Sequence, residues 1–234
     1  MNTTIVMPAL NEEQSIGRVL DEIPRESVRE VIVVDNGSTD RTSDVASNHG
    51  ATVLYERRRG YGAACLKGIA HTDDETDVIV ILDADHSDYP EELPEILLPI
   101  RENRADFVIG SRTLGRAERG ALPWNQRWGN LLATFLMRML YGVRFTDMGP
   151  FRAIRRDHLI SYGMEDHTFG WNVEMQAKAI IAGSVIVEVP VRYRKRIGKS
   201  KITGTVRGTI LAGTKIIGTI FKYYPSYLEA RRKK

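Results

Sequence analysis

Cysteine is almost missing from this chain: among 234 residues there is one, Cys65, so no internal disulfide framework can form. No apolar signal-type segment opens the sequence, and with a single thiol this points to a reducing, cytoplasmic setting. No run of about 18 consecutive apolar residues occurs, which argues against a membrane-spanning helix. Repeats, low-complexity tracts and a clean linker are also lacking. Charge of one sign is scarce, since the formal net charge is only +3. Much of that excess falls in Arg192 to Lys201 and in Arg231-Arg232-Lys233-Lys234, which suits local anionic partners and not a nucleic-acid surface. No Gly-x-Gly-x-x-Gly follows the first predicted strand, so a dinucleotide oxidoreductase is disfavoured.

What is present is organised around one stretch. Val78-Ile79-Val80-Ile81-Leu82 reads as a strand buried on both faces, and it stops at Asp83-Ala84-Asp85. Open α/β sheets bind ligands at the carboxyl ends of their strands, which is where these carboxylates fall. Two buried carboxylates are costly unless a hard divalent cation shares the site, so the pair is a metal candidate. The plainer alternative is that Asp83 caps the next helix and Asp85 is solvated.

Along the chain, Thr3 to Pro8 reads as a strand closed by proline, and Ile16, Val19, Leu20 and Ile23 mark one face of a helix. Glu30 to Asp35 is a second buried strand, with Ser38 or Thr39 placed to cap the helix after it. Ala51 to Tyr55 is a third, and Gly60-Tyr61-Gly62 opens a helix to Ala70. After the central strand come a helix near Glu91 to Asn103, which Asp88 can cap, and a strand at Asp106 to Gly110. Strands alternating with helices predict a mostly parallel sheet flanked on both sides, a nucleotide-binding type of unit.

The second half differs. Ser111 to Leu122 reads as a mobile loop near the site. Asn125 to Tyr141 and Thr205 to Tyr223 read as amphipathic helices: core, an interfacial membrane contact, or the two faces of a homodimer. The basic tail would add attraction to anionic headgroups.

Four stretches, Met7 to Glu12, Val33 to Asp40, Leu82 to Asp85 and Gly110-Ser111-Arg112, together resemble the family 2 glycosyltransferases of GT-A fold. The similarity is strongest to the branch of dolichyl- and polyprenyl-phosphate mannosyl- and glucosyltransferases. It continues through Asp147 with Gly149 to Arg152, Glu174, Glu188 to Val191 and Arg196 to Lys201. The resemblance implies a GT-A domain at residues 1–204 and an amphipathic helix with a basic tail at 205–234. It implies an inverting transfer of a hexose from a UDP- or GDP-sugar, with Asp83 and Asp85 holding Mg²⁺ or Mn²⁺. Pro8, Ala9, Asn11, Glu12 and Asp35 match positions gripping base and ribose. Ala84 lies between the metal carboxylates, and Arg194, Arg196 and Lys201 match a loop closing over the donor diphosphate. Asp85, Arg112 and Asp147 are the implied catalytic residues, with Asp147 as base for a hydroxyl acceptor or else holding an arginine. Arg112 and, more loosely, Arg127 match positions around an acceptor phosphate, framed by Trp171 and Glu174.

The implied acceptor is a polyprenyl phosphate, met by a peripheral enzyme on the inner face of the membrane. A soluble hydroxyl acceptor and a non-catalytic nucleotide-sugar binder are the alternatives. Two departures stand out: Asn36 where relatives often carry aspartate, and Ser87, between His86 and Asp88, where they carry glutamine. The first leaves the choice of base open. His86 is either an extra ligand or solvated, and Asp88 is either a helix cap or a water-mediated metal contact. A sugar-1-phosphate nucleotidyltransferase would need a glycine- and arginine-rich loop after the first strand, and Ala9-Leu10-Asn11-Glu12 is not one.

Overall fold

A computed structural model describes residues 1–198 and 206–233. Among these residues, seven strands form one sheet in the order β3-β2-β1-β4-β6-β5-β7. They are β1 (Thr3–Ala9), β2 (Glu30–Asp35), β3 (Thr52–Tyr55), β4 (Val78–Ile81), β5 (Phe107–Ala117), β6 (Arg152–Arg155) and β7 (Ile186–Tyr193). The helices are α1 (Ile16–Asp21), α2 (Thr42–Asn48), α3 (Tyr61–Ile69), α4 (Leu93–Arg101), α5 (Trp124–Tyr141), α6 (Arg156–Ser161), α7 (Trp171–Ala182) and α8 (Val206–Arg232).

Every residue of β4 is buried, because helices cover both faces of the sheet. Side chains alternate between two cores. Ile5, Met7, Val78 and Val80 face one with α1 and α4, and Val6, Ile79 and Ile81 face the other with α3, α5, α7 and α8. Each such aliphatic side chain contributes roughly 1.5–3 kcal/mol on burial, so the central strand firmly anchors the acidic turn at its carboxyl end. Pro8 lies inside β1 instead of closing it, paired with Val34. The β4 ladder already ends at Val6, so Pro8 sits where β1 has one partner only.

β1, β2, β3 and β4 are mutually parallel. β6 breaks the pattern, lying antiparallel between β4 and β5 with Arg152 opposite both Ile81 and Ile109. An antiparallel strand delivers its preceding loop to the edge where its parallel neighbours end. The segment before β6, with Asp147, therefore arrives beside Asp83 to Asp85.

Three further sequence expectations change. Ser111 to Leu122 is not all loop: β5 runs to Ala117 and pairs with β7 through Arg116 and Ala117, after a register shift. Gly115 allows this, since a Cβ there would lie 1.9 Å from the Val191 carbonyl oxygen. The helix after β2 begins at Thr42, where Asp40 accepts the Thr42 N–H, so neither Ser38 nor Thr39 caps it. Finally, α8 extends past Tyr223 to Arg232 and packs on α5 and α7, with Ile220 and Tyr223 in the same core as β4. The Tyr141 hydroxyl donates to the Ile220 carbonyl at 2.7 Å, and that of Tyr227 to the Tyr141 carbonyl at 2.8 Å. The two amphipathic helices thus bury one face against each other within a single chain. The boundary expected at 204/205 lies outside the described residues.

Candidate active site

β1 has β2 on one side and β4 on the other, and the loops leaving its two flanks diverge there. A cavity of about 360 Å³ occupies that point. Its floor is Asp83, Ala84 and Asp85 from the turn after β4. One side is Pro8 and Ala9 at the end of β1 with Leu10 and Glu12 just after it, and the other is Arg59, Gly60 and Tyr61 at the start of α3. Arg196 reaches over from the segment after β7.

The carboxylates are held from different directions. The Tyr61 hydroxyl donates to Asp83 Oδ1 at 3.0 Å. Asp85 Oδ1 accepts the Ser87 N–H at 2.9 Å, while Arg196 Nη1 lies 3.1 Å from Asp85 Oδ2 and its Nη2 3.2 Å from Glu12 Oε1. The Ile197 N–H donates to the Asp85 carbonyl at 2.9 Å, so backbone as well as charge ties this segment to the carboxylate turn. Burial, reinforced by the charge of Asp85, pushes the Asp83 carboxyl up to about 7.

Asp88 carries the same strain further. It is 2% exposed, both carboxylate oxygens lack a hydrogen-bond partner among the described residues, and burial with the charges of Asp83 and Asp85 raises it well above the usual carboxylate range. It does not cap the following helix: the turn Pro90–Glu92 opens on Tyr89 without a side-chain cap. His86 faces away, with Nε2 2.9 Å from Glu22 Oε1.

This donor set suits a hard divalent cation. Three acidic groups crowd one strand end, one of them orphaned. Among the described residues no cluster of three or more His, Cys, Asp or Glu side chains is preassembled around an ion. That pattern fits a cation held by one or two carboxylates, with the remaining oxygens coming from a ligand.

A second cavity, also about 360 Å³, opens between β5, α5 and the loop before β6, with Arg112, Arg127, Gln126, Leu131 and Asp147 in its lining. Arg112 and Asp147 form a bidentate pair, Nε to Oδ2 at 2.8 Å and Nη2 to Oδ1 at 2.6 Å, and the Arg112 N–H adds a bond to Oδ2 at 2.8 Å. Glu188 of β7 braces the loop by accepting the Thr146 and Asp147 N–H groups, and Asn130 of α5 accepts that of Met148. The Arg112 guanidinium also lies 5.0 Å from the Tyr193 ring centre, and Tyr193 bridges to Asp88.

Several expected site residues fall elsewhere. Asp35 spends its oxygens on the Ser38 N–H, at 2.6 Å, and on the Ser43 hydroxyl. Asn11 accepts the Thr39 N–H at 2.7 Å. Asn11 thus ties the loop after β1 to that after β2, Asp35 ties the loop after β2 to the start of α2, and neither lies in the cavity wall. Arg194 pairs with Glu22 and donates to the His86 carbonyl at 2.8 Å, lying over Tyr89, so it braces the carboxylate turn from behind. Trp171 is fully buried in the core. Glu174 is equally buried, accepting the Glu165 and Asp166 N–H groups and the Tyr223 hydroxyl, with Lys178 Nζ 3.0 Å away. Asp147 holds an arginine, the second of its two expected roles. Lys201 lies outside the described residues.

The residues to which the sequence assigned no place in the site are Arg59, Tyr61 and Asn36, which are wall elements, and Arg152 beneath them. Arg152 is wholly buried, donates to the Gly149 and Asn172 carbonyls and is lowered by burial to about 10. A tyrosine between two glycines after an arginine run was the available signal for the first two.

An α/β sheet with an acidic strand end at its switch point and two adjoining cavities defines a GT-A type transferase domain. The chain matches the model of Glycosyl transferase family 2 over residues 4–163, and it belongs to that family and is a glycosyltransferase. It is similar to an uncharacterized glycosyltransferase of Mycobacterium tuberculosis, 37% identical over 89% of this chain and 93% of that one. It also resembles an undecaprenyl-phosphate mannosyltransferase of Micrococcus luteus, 32% identical over 89% and 90% of the two chains. A dolichyl-phosphate hexose transferase of Haloferax volcanii is 36% identical over 85% of each. In fold it is similar to glucosyl-3-phosphoglycerate synthase of Mycobacterium tuberculosis, crystallised with Mn²⁺, UDP and glucosyl-3-phosphoglycerate, at TM-score 0.75 and 22% identity over 95% of this chain and 79% of that one.

Proposed function

We propose that this protein transfers a hexose from a nucleoside-diphosphate sugar, with inversion, to a polyprenyl phosphate. The observation that carries the acceptor class is the chemistry of the second cavity: two guanidiniums line it, and its one carboxylate, Asp147, is occupied by Arg112. A hydroxyl acceptor needs a base to take its proton. A phosphate oxygen is already an anion, attacks the anomeric carbon directly, and needs only to be held. The bond from that carbon to the diphosphate breaks as the new one forms, and the electron pair leaves with the nucleoside diphosphate. Guanidinium forks suit the holding role.

Asp83 and Asp85 would hold Mg²⁺ or Mn²⁺, which when bound neutralises charge developing on the leaving diphosphate. Arg196, now on Asp85 and Glu12, is within reach to do the same from the other side. Names of relatives that act on undecaprenyl and dolichyl phosphates support the lipid reading. The Mn²⁺ and UDP held by the structural neighbour support the donor and the cation.

The tail of such an acceptor has a place to lie. The outer face of α5 exposes Trp124, Trp128, Leu131, Phe135 and Met139 at helical spacing, α5 contains no acidic residue, and Leu131 also lines the cavity. No helix among the described residues is long and apolar enough to cross a membrane. We therefore read α5 as resting in the headgroup plane of an anionic bilayer. The second reading, a soluble phosphorylated acceptor, is favoured by the acceptor product in the structural neighbour.

The test offers UDP- and GDP-hexoses with Mn²⁺ to the protein in anionic vesicles containing polyprenyl phosphate, and separately to soluble phosphorylated hydroxy acids. Labelled sugar in the lipid phase is expected; transfer only to the soluble acceptor would replace this proposal with the second reading.

A further inference from the structure

One wall of the donor cavity hangs on a single amide. Asn36 is 5% exposed, and its whole side chain serves the segment 56–60. Nδ2 donates to the carbonyls of Glu56 at 3.1 Å and Arg58 at 2.7 Å, and Oδ1 accepts the Gly60 N–H at 2.7 Å. Its backbone carbonyl accepts from Arg59 Nη1 at 2.8 Å. Only an amide carries both the donors and the acceptor this requires. A carboxylate would face two carbonyl oxygens with no proton to offer. Asparagine at this position is therefore a functional choice and not a neutral stand-in for aspartate.

The clamp propagates. Gly60 has φ +139°, and a Cβ there would lie 2.0 Å from the His167 carbonyl oxygen, which also accepts the Ala63 N–H at 3.0 Å. The segment fixed by Asn36 is thus the surface against which the loop bearing Thr168 and Phe169, two further lining residues, is packed. Arg59 itself lies against Gly37, where a Cβ would come within 3.0 Å of its Cζ.

We infer that Asn36 is a positioning residue that sets Arg59 to read the nucleobase, and that Arg59 is the residue through which the cavity discriminates the keto bases of the expected UDP- and GDP-sugars from cytosine and adenine. This rests on the nucleotide-sugar reading of the cavity. The carboxylates assign the diphosphate to one end, leaving Pro8, Leu10 and Arg59 for the base at the other. Arginine is donor-only, so it pairs with a keto oxygen and opposes an exocyclic amine. Uracil and guanine meet that demand; cytosine and adenine place a donor there.

The test titrates the whole chain, with Mn²⁺ present, against UDP, GDP, CDP, ADP and inorganic pyrophosphate. For the wild type, UDP or GDP is expected to bind about tenfold or more tighter than CDP and ADP, the scale of one well-made polar contact to a base. Arg59→Gln, at an exposed position, should shrink that gap to about threefold or less, with pyrophosphate binding unchanged. Asn36→Asp should do the same, and the double variant should lose little more, because one residue acts through the other. An unchanged base ranking in Arg59→Gln, or wild-type CDP and ADP binding as well as UDP and GDP, overturns the inference. Should Asn36→Asp not fold, Arg59→Gln still decides for Arg59. A wild type that binds no nucleoside diphosphate sinks the nucleotide-sugar reading itself, an outcome distinct from equal binding of all four.

Discussion

The two cavities have the same volume, about 360 Å³, and opposite electrostatics. At the donor end, Asp83, Asp85 and Asp88 crowd together with negative charge in excess, Asp88 has no hydrogen-bond partner among the described residues, and burial drives protons onto Asp83. At the acceptor end the carboxylate is satisfied three times over by Arg112, and guanidinium is in excess. One site is built to receive a cation and the other an anion. The difference teaches that ligand charge can be read from what a site leaves uncompensated more directly than from which residues it contains.

The sharpest way to break this comparison is to remove the cation demand. Asp85→Asn should lower transfer by about a thousandfold or more, within the range of removing one electrostatic element of an active site, and should weaken Mn²⁺ binding measured by electron paramagnetic resonance. A folded variant with intact Mn²⁺ affinity would withdraw the metal assignment. Next, the acceptor pair can be halved. Arg112→Met strands the buried Asp147 charge and should cost about 3–5 kcal/mol in urea unfolding, while nucleoside diphosphate affinity stays within about twofold because the partners lost are remote from that cavity. Equal loss in both readouts would mean the two ends are not separable.

The pH dependence sharpens the donor side. A carboxyl raised in the folded state binds its proton more tightly there than in the unfolded chain. Asp83 therefore costs stability progressively as pH rises from the ordinary carboxylate range toward about 7. Metal-free melting temperature should fall across that window, and Asp83→Asn or saturating Mn²⁺ should flatten the slope. A flat wild-type profile would contradict the crowding. The smallest effect belongs to Arg127, which is exposed: Arg127→Ala should raise acceptor KM only about two- to fivefold, as for a solvent-screened charge contact.

Much of the donor half was legible in the sequence. A strand buried on both faces must be a continuous aliphatic run, and Asp83 and Asp85 directly follow one, so β4 and its charged end are visible locally. The resemblance pointed to Pro8, Ala9, Glu12 and Arg196, and the structure brings these four together in the wall of one cavity. That Asp35 and Asn11 lie outside this wall and bond to Ser38, Ser43 and Thr39 was not legible, because hydrogen-bond competition inside a turn leaves no periodic trace. Asp88 looked like a cap because a proline follows it two residues later; only the packing of Tyr193 and Arg112 around it shows that it is buried.

The amino-acid sequence by itself determined the parallel α/β framework and the acidic strand end, since both depend on interactions between residues near in sequence and on the two-residue period of a pleated strand. Tertiary structure alone decided that β6 runs antiparallel, that Arg112 meets Asp147 across 35 residues of chain, and that Asn36 holds the wall bearing Arg59. Those choices arise where distant segments compete for the same hydrogen-bonding edge or the same buried volume, and the outcome of that competition is written in no single stretch.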